Sequence, residues 1–440
     1  ARFDVEVMKL ATRGITLVAA SGDDGVAGYS ARAAGKAGCG FNPAYPASSP
    51  HVLSVGATVG PELLPPQETE IACTFKNGGL ISSGGGFSKY YARPAYQNGT
   101  ENVVDAFLAG AKAEGTLPDA ALFGGGGGRA YPDIALLGHN FPCVSTSSSL
   151  CVCVSSLAYR TCLTPPHPPL RSLVLHSTYV GGKVYLVSGT SGSAPTVAAI
   201  LTRINGERIA QGQPALGFVN PAIYSIYASN ATVFNDVVEG ENNCCAAVAD
   251  PVCCDSGFTA RTGYDPVTGL GSFNFAKLRD ALLAMKRGPV PLDLERVASG
   301  LPPLDSRRSV VSNSSRTTKI PTTTRDGRWV SDSIPASTEL MRLTFALHLK
   351  HPLELERLLY EVSTPGTTSY GEHLTLDAVN RRFPAVDGGS VAVEKWLRTG
   401  AGSTAITIDT SAVGFVEATV AVETVETLFG VTVRHWRSTM

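Results

Sequence analysis

The sequence lacks several features that would place it in common functional classes. No run of residues is long and apolar enough to span a bilayer. The 36 basic and 37 acidic residues leave a formal net charge of −1, so the charge balance indicates neither a nucleic-acid nor a membrane partner. No signal peptide begins the chain, as expected if it starts inside a longer protein. What remains, 440 residues of which 43% are hydrophobic, is the composition of an ordinary soluble protein.

One serine-rich segment lies at a predicted strand-to-helix junction. Ser188–Pro195 follows the run Lys183–Val187, which predicts a strand, and precedes an apolar run with helical spacing from Thr196 to Ile204. A hydroxyl at a helix N-terminus lies where backbone N–H groups and the helix dipole favour negative charge, as attack on a carbonyl requires. The same octapeptide is also typical of a Ser/Thr-rich helix cap.

A Gly-Asp loop follows an earlier predicted strand. Ala19–Gly25 comes directly after the apolar run Ile15–Val18, and a helical segment, Val5–Thr12, precedes that run. Helix, strand and loop in this order are typical of a parallel α/β sheet, in which sites lie beyond the carboxyl ends of the strands. On its own, an Asp-rich loop is more often only a turn.

Together the two motifs resemble the sedolisin family of serine-carboxyl peptidases, most closely its tripeptidyl peptidase I branch. The resemblance continues in order along about two-thirds of the chain. Its further segments are Phe41–Pro50, Val52–Thr58, Ser83–Ser88, Arg93–Gln97, Arg129–Ala135 and Gly263–Gly271. The resemblance implies an α/β fold with a subtilisin-like parallel sheet and helices on both faces.

The resemblance also implies roles for two residues. Ser191, which follows Gly-Thr, matches the nucleophile, and Asp23, the first Asp of the loop, matches the residue that helps to stabilise the oxyanion. An ionised carboxylate would repel an oxyanion, whereas a protonated one donates a hydrogen bond to it, so the site is expected to work in acid. The expected substrates are peptides or proteins.

The catalytic base of the family has no counterpart that the sequence identifies. The family replaces the usual histidine by a glutamate, supported by an aspartate four residues away on the same helix, well upstream of the Asp loop. Only 22 residues precede Asp23 here, and their acids, Asp4 and Glu6, are expected to be solvated charges on a helix surface. The catalytic domain is therefore expected to be truncated at its N-terminus.

One calcium ion is also implied by the resemblance. A hard cation takes oxygen ligands from carboxylates and backbone carbonyls. Asp236 matches a side-chain ligand and Val237 a carbonyl ligand of one loop, while Asp265 matches the carboxylate of a second loop, with Arg261 and Gly263 at its carbonyl positions. Arg261 stands where the family usually has glycine. The alternative is two ordinary Asp-containing turns.

The composition divides the chain into three parts. Residues 1–286 are predicted to form the peptidase domain. Residues 287–328, rich in Pro, Ser, Thr and Arg, are predicted to be a linker, and residues 329–440 a second domain. Between residues 142 and 179 the first domain is predicted to carry an insertion, which contains four cysteines. Because Cys143, Cys151, Cys153 and Cys162 lack paired Cys-x-x-Cys spacing, a surface insertion or translated non-coding sequence explains them better than a zinc site.

The second domain is predicted to be an α+β sandwich of the ferredoxin type. Its pattern predicts the order strand–helix–helix–strand–strand–helix–strand. The first strand is predicted at Leu343–Leu349, the first helix at Pro352–Val362 and the last strand at Val431–His435. Segments Leu343–Leu347, Tyr370–Thr375 and Val393–Leu397 resemble the propeptide of the family. A propeptide normally precedes its catalytic domain, whereas this one follows a catalytic domain. The order is expected if the chain joins the end of one peptidase unit to the start of the next in a tandem array, if the gene is permuted, or if the gene model is wrongly joined.

Indirect signals indicate an oxidising compartment. Cys244, Cys245, Cys253 and Cys254 flank a loop where the family carries disulfides. Glycosylation sequons begin at Asn98, Asn230 and Asn313. The predicted location is the secretory pathway, either extracellular or in a lysosome-like acidic compartment.

Three functions follow as hypotheses. The first is an acid serine peptidase that releases short peptides from free N-termini as part of a larger protein. The second is a catalytically incomplete fragment or pseudoenzyme without its base. In the third, the C-terminal domain inhibits or assists the folding of a catalytic domain. An upstream helix with Glu and Asp four residues apart would distinguish the first from the second.

Overall fold

The computed structural model describes residues 2–60, 69–98, 102–139, 143–145, 151–153, 178–180, 183–185, 188–246, 251–288, 329–402 and 406–438. The chain divides into two compact units. The larger unit consists of residues 7–303 and 356–374, and the smaller of residues 1–6, 304–355 and 375–440. Within the described ranges, none of the helices has the length and apolar character needed to cross a membrane.

The secondary structure alternates between helices and short strands through most of the chain. The helices, α1 to α11 in chain order, are Arg2–Ala11, Tyr29–Ala34, Val103–Ala113, Ala120–Phe123, Thr190–Ala210, Asn220–Ser229, Phe275–Ala284, Pro352–Ser363, Leu376–Arg382, Gly389–Ala401 and Val422–Phe429. The strands, β1 to β17, are Val18–Ala20, Leu53–Val59, Ile71–Ala72, Gly86–Ala92, Gly128–Tyr131, Ile134–Leu137, Cys143–Ser145, Cys151–Cys153, Thr178–Val180, Lys183–Tyr185, Phe234–Asn235, Ser272–Phe273, Trp329–Ser331, Leu340–Ala346, Thr407–Asp409, Phe415–Ala421 and Trp436–Ser438.

Parallel strands form the centre of the larger unit. Strand β2 pairs in parallel with β1 and with β6, and the two-residue β3 pairs antiparallel with the end of β2. All seven residues of β2 are buried, which is typical of a parallel strand covered on both faces. The carboxyl ends of β1, β2 and β6 therefore share one edge, where the Asp loop and Gly138 emerge.

The predicted elements around the Asp loop are present with shifted bounds. The helix predicted at Val5–Thr12 is found as α1. The strand predicted at Ile15–Val18 begins only at Val18 and continues to Ala20. Residues 15–17 were predicted to belong to this strand but do not, because helix α1 ends in a turn. In that turn the amides of Arg13 and Ile15 both donate to the carbonyl of Leu10. The chain can pair with β2 only after that turn.

The strand that precedes the serine segment lies in a hairpin. Lys183–Tyr185 forms the strand predicted for this region, and it pairs antiparallel with Thr178–Val180. Cys143–Ser145 and Cys151–Cys153 form a second antiparallel pair. The remaining residues of the predicted insertion, Cys162 among them, lie outside the described residues.

A buried ion pair joins the motif Arg129–Ala135 to the rest of the larger unit. Arg129 Nη2 lies 2.7 Å from Asp133 Oδ2, and both side chains are fully buried. The Ser54 amide and the Tyr224 hydroxyl also donate to the Asp133 carboxylate, at 2.7 and 3.0 Å. Burial raises the pKa of Asp133, while Arg129 and these donors lower it. This motif therefore fixes packing between strands and helix α6.

The smaller unit contains a three-stranded antiparallel sheet in the order β14–β16–β15. Residues of α10 and α11 pack on this sheet, with Leu397, Ala418, Val420 and Val425 in the core. The last strand, predicted at Val431–His435, is found instead at Trp436–Ser438 and pairs with β13. The earlier residues are held at the end of α11, since the Val431 and Val433 amides donate to the carbonyl and carboxylate of Glu426.

Candidate functional site

Ser191 lies in the first turn of the 21-residue helix α5. Ser191 itself is exposed, whereas its neighbours Thr190 and Gly192 are buried. The Ser193 hydroxyl donates to the carbonyls of Leu136 and Leu137 at 2.9 and 3.1 Å, which fixes the start of the helix against the end of β6. The N-terminus of α5, which is the positive end of the helix dipole, thus presents the Ser191 hydroxyl.

Asp23 is bonded to the residue directly before Ser191. Its Oδ1 accepts hydrogen bonds from both the amide and the hydroxyl of Thr190, each at 2.8 Å. The Gly22 amide in turn donates to the Thr190 hydroxyl at 3.2 Å. The structure therefore brings the two predicted catalytic positions together through Thr190, across 167 residues of sequence.

The second aspartate of the loop has a different environment. Asp24 is buried, and its Oδ1 accepts from the Arg32 guanidinium at 2.7 Å and from the Ala246 amide at 2.9 Å. Asp24 therefore fastens the loop to two other segments, while Asp23 turns toward helix α5. The sequence identifies the loop but gives no signal for the partners of Asp24, because Ala246 is 222 residues away.

The glycine-rich segment that resembles the substrate side of the family runs beside the Asp loop. The Ser82 amide donates to the carbonyl of Asp23 at 2.9 Å, and the Gly84 amide to that of Gly22 at 2.8 Å. A Cβ atom on Gly84 would lie 2.4 Å from the Ser21 carbonyl oxygen, so only glycine permits this approach. This segment thus forms one border of the site.

His139 lies next to the site, where sequence reasoning did not identify it. Its Nδ1 is 3.0 Å from the Ser188 hydroxyl and 3.3 Å from the Leu80 amide, which donates to it. Burial lowers the pKa of His139. A neutral ring is required for this arrangement, since Nδ1 must accept from the amide. The only sequence signal was the position of His139 just after strand β6.

The expectation for the two N-terminal acids was wrong for one of them. Asp4 is buried, with 1% of its surface exposed, and is not a solvated helix charge. Glu6 is partly exposed and pairs with Arg2 at one helical turn. The same helix also carries the buried apolar residues Val7, Met8 and Ala11. The family's Glu/Asp base pair remains unassigned in this chain.

The two predicted calcium loops are directly joined. The Gly263 amide donates to Asp236 Oδ2 at 2.9 Å, and the Arg261 amide donates to Asp265 Oδ2 at 3.0 Å. The amides of Val267 and Thr268 donate to Asp265 Oδ1 at 2.9 and 2.8 Å. The loops that carry the five predicted ligands therefore meet.

The carboxyl groups of these loops lack a cationic partner among their described contacts. The Arg261 guanidinium pairs instead with Glu114, at 2.8 Å. Burial raises the pKa of Asp236, and it raises the pKa of Asp265 from its ordinary value of 3.8 to about 7. In the described part of the chain, no amide donates to the carbonyl oxygens of Val237, Arg261 or Gly263. Such a set of carboxylate and carbonyl oxygens fits a hard cation.

Two disulfides stabilise the larger unit. Cys244 pairs with Cys253, and Cys254 pairs with Cys39, 215 residues away. Cys245, the fourth cysteine of the predicted cluster, is buried and has no disulfide. Cys39 was not identified from the sequence, because nothing in its surroundings points to a partner so distant.

Two family profiles and several curated proteins match this chain. The profile described as "Subtilase family" matches residues 3–215, and "Pro-kumamolisin, activation domain" matches residues 327–440. Physarolisin of Physarum polycephalum is 34% identical over 63% of this chain and 43% of its own length. Tripeptidyl-peptidase sed1 of Aspergillus fumigatus is 35% identical, over 64% of this chain and 37% of its own.

Tripeptidyl-peptidase 1 of Mus musculus is also 35% identical, over 64% of this chain and 40% of its own length. The chain thus spans between 37% and 43% of these curated relatives. A solved Pseudomonas sedolisin, described as a serine-carboxyl proteinase, matches at 23% identity with a TM-score of 0.42, over 64% of this chain and 59% of that one. By these two profiles and these relatives, the chain is similar to the serine-carboxyl peptidases of the sedolisin family.

Proposed function

We propose that this chain carries the nucleophile and the oxyanion-binding residue of a serine peptidase that hydrolyses peptide bonds at acidic pH. The observation that carries the proposal is the bond between Asp23 and Thr190 beside the exposed Ser191 at the start of α5. Ser191 attacks the peptide carbonyl, and the oxygen that becomes negative receives a hydrogen bond from protonated Asp23.

The proposed substrates are peptides or proteins with free N-termini, from which tripeptides are released. Two of the relatives are named tripeptidyl-peptidases, which supports this class. The base that takes the Ser191 proton is proposed to be a glutamate, supported by an aspartate, supplied by a helix that we do not assign in this chain. Without such a helix the chain is a catalytically incomplete relative, which is the second possibility.

Residues 329–440 are proposed to act as the activation segment of a peptidase of this family, as inhibitor or folding chaperone. The match of residues 327–440 to an activation-domain profile supports this role. We further propose that Asp236, Asp265 and the carbonyls of Val237, Arg261 and Gly263 hold one calcium ion. The two disulfides and the exposed sequon residues Asn98 and Asn230 support a secreted or lysosome-like location.

The test compares the chain alone with the chain preceded by a helix that carries Glu and Asp four residues apart. Both are assayed on a tripeptide amide with a free N-terminus and on the same tripeptide with a blocked N-terminus, at pH 4 and pH 7. Hydrolysis of the free form by the extended protein at pH 4, lost in Ser191→Ala, is the expected result. A folded extended protein that hydrolyses neither form would contradict the proposal.

A further inference from the structure

Within the described ranges, the Thr190 hydroxyl has a single acceptor for its proton, Asp23 Oδ1. This side chain is 1% exposed, and its Oγ1 lies within hydrogen-bond distance of the Gly22 amide and of Asp23 Oδ1. A backbone amide only donates, so Thr190 Oγ1 must accept from Gly22. The single hydroxyl proton is then left to point at Asp23 Oδ1, which accepts it.

The same carboxylate oxygen accepts a second hydrogen bond. The Thr190 amide donates to Asp23 Oδ1 at 2.8 Å. With two donors directed at Oδ1, a proton on that oxygen would oppose the hydroxyl proton of Thr190. When Asp23 is protonated, the proton therefore belongs on Oδ2.

The second oxygen of Asp23 lies beside Gly189 and the Ser191 amide. A Cβ atom on Gly189 would lie 3.2 Å from Asp23 Oδ2 and 3.5 Å from the Ser191 amide nitrogen. Because residue 189 is a glycine, no side chain separates the Asp23 carboxyl group from the Ser191 amide, and the two groups lie near the same point. Both groups are donors to an oxyanion when Oδ2 carries the proton.

We propose that Thr190 is a positioning residue that keeps Asp23 Oδ1 as acceptor and so directs the carboxyl proton on Oδ2 toward the substrate oxygen. This inference rests on the proposed function of Asp23 and Ser191. Thr190 touches no reacting atom; it acts only through Asp23. Replacing the hydroxyl by a methyl group in Thr190→Val leaves one donor on Oδ1, so the carboxyl group loses its fixed orientation.

The experiment measures equilibrium binding of a tripeptide aldehyde to the chain as it exists, by calorimetry at pH 4.5. The Ser191 hydroxyl adds across the aldehyde C=O: the Oγ–C bond forms, the carbonyl π pair moves to oxygen, and the hydroxyl proton is taken up there. Because the addition releases no leaving group, aldehyde binding reaches equilibrium and can be measured without catalytic turnover. The resulting oxygen accepts the hydrogen bond from Asp23.

We expect Thr190→Val to weaken aldehyde binding roughly tenfold, as loss of one hydrogen bond to an ionisable group does. Thr190→Ser, which keeps the hydroxyl, should bind within about twofold of the unchanged chain. In an Asp23→Ala background, Thr190→Val should have no further effect, because the group it positions is gone. A purely structural role of Thr190 would weaken binding equally in both backgrounds.

Thr196→Val is the matched control. Thr196 is 1% exposed on the same helix, and its hydroxyl donates to the Gly192 carbonyl at 3.0 Å and not to Asp23. Thermal melting checks that each variant folds; if Thr190→Val does not fold, Thr190→Ala and Thr190→Ser carry the comparison.

The outcomes separate the inference from the function on which it rests. No loss with folded Thr190→Val or Thr190→Ala, or a loss that persists in the Asp23→Ala background, overturns the inference alone. Absence of Ser191-dependent aldehyde binding in the unchanged chain overturns the proposed function, and the inference with it.

Discussion

Two buried or partly buried aspartates in this chain receive their hydrogen bonds very differently. Asp265 accepts from the amides of Arg261, Val267 and Thr268, so both of its oxygens have backbone partners. Among the described residues, Asp23 accepts from Thr190 alone, through Oδ1. Donors on both oxygens fix the orientation of the Asp265 carboxyl group, and its remaining lone pairs are left for a cation. Donors on a single oxygen of Asp23 leave Oδ2 for a reacting atom.

The two aspartates also differ in burial, since Asp265 is fully buried and Asp23 is partly buried. Asp265 is fully buried, and desolvation raises its pKa to about 7 in spite of its donors. Its ionised form is therefore costly unless a cation is bound. Asp23 lies at the open edge of the sheet beside the N-terminus of α5, where a proton serves the proposed chemistry. The first site is proposed to depend on metal, the second on acid.

The largest expected effect concerns Ser191 in the protein extended by an upstream Glu/Asp helix. Ser191→Ala should lower peptide hydrolysis at pH 4 on the order of a millionfold, because the nucleophile is removed. The melting temperature should not change, since the side chain is exposed. Steady-state kinetics and thermal melting measure both, and Ser188→Ala serves as a serine control in the same segment. If folded Ser191→Ala still hydrolyses the peptide, Ser191 is not the nucleophile.

The next effect is a pH-dependent loss of stability at the Asp265 site. Between its ordinary pKa of 3.8 and the folded value of about 7, the folded chain keeps a proton that the unfolded chain has released. The stabilisation is therefore complete below about pH 4 and is lost as the pH rises to about 7. With chelator present, the melting temperature should fall across this range, and Asp265→Asn should flatten the fall.

Calcium added at pH 7 should raise the melting temperature of the unchanged chain by at least about 5 °C, since the ion binds the folded state. The exposed Asp255→Asn is the control, because its side chain is 96% exposed and paired only with Lys36. No shift on adding calcium, together with an unchanged profile in Asp265→Asn, would reduce both loops to ordinary turns.

The smallest effect separates the two neighbouring aspartates of the loop. Asp24→Asn keeps an oxygen for the Ala246 amide but loses the charge that faces Arg32, so it should cost about 1 kcal/mol of unfolding free energy. Denaturant unfolding measures this cost. The pH dependence of hydrolysis should stay that of the unchanged protein. An altered pH profile in Asp24→Asn would mean that the two aspartates act as one unit.

The elements of the site were predictable, but their connections were not. A strand followed by Gly-Asp, and Gly-Thr-Ser at a helix start, can be seen in the local sequence, and the resemblance to the family then implies the roles of Asp23 and Ser191. The bond between Asp23 and Thr190 spans 167 residues and depends on how helix α5 packs, which no local pattern encodes. The disulfide from Cys39 to Cys254 and the bond from Asp24 to Ala246 escaped prediction for the same reason.

Local patterns also failed where tertiary packing outweighed them. Asp4 was expected in solvent because charged helix residues usually are, yet it is buried. Val431–His435 has the β-branched pattern of a strand, but hydrogen bonds to Glu426 hold its start at the end of α11. In both cases the residue's own preference did not decide the outcome.

The most direct test of the central claim, that protonated Asp23 donates to the oxyanion beside Ser191, is the pH–rate profile of Asp23 variants in the extended protein. Asp23→Ala should lose on the order of a hundredfold in rate at pH 4, because one oxyanion donor is removed. Asp23→Asn keeps a donor that needs no proton, so it should retain part of the rate and move the alkaline limb of the profile upward. Full activity at pH 4 in a well-folded Asp23→Ala would contradict the account.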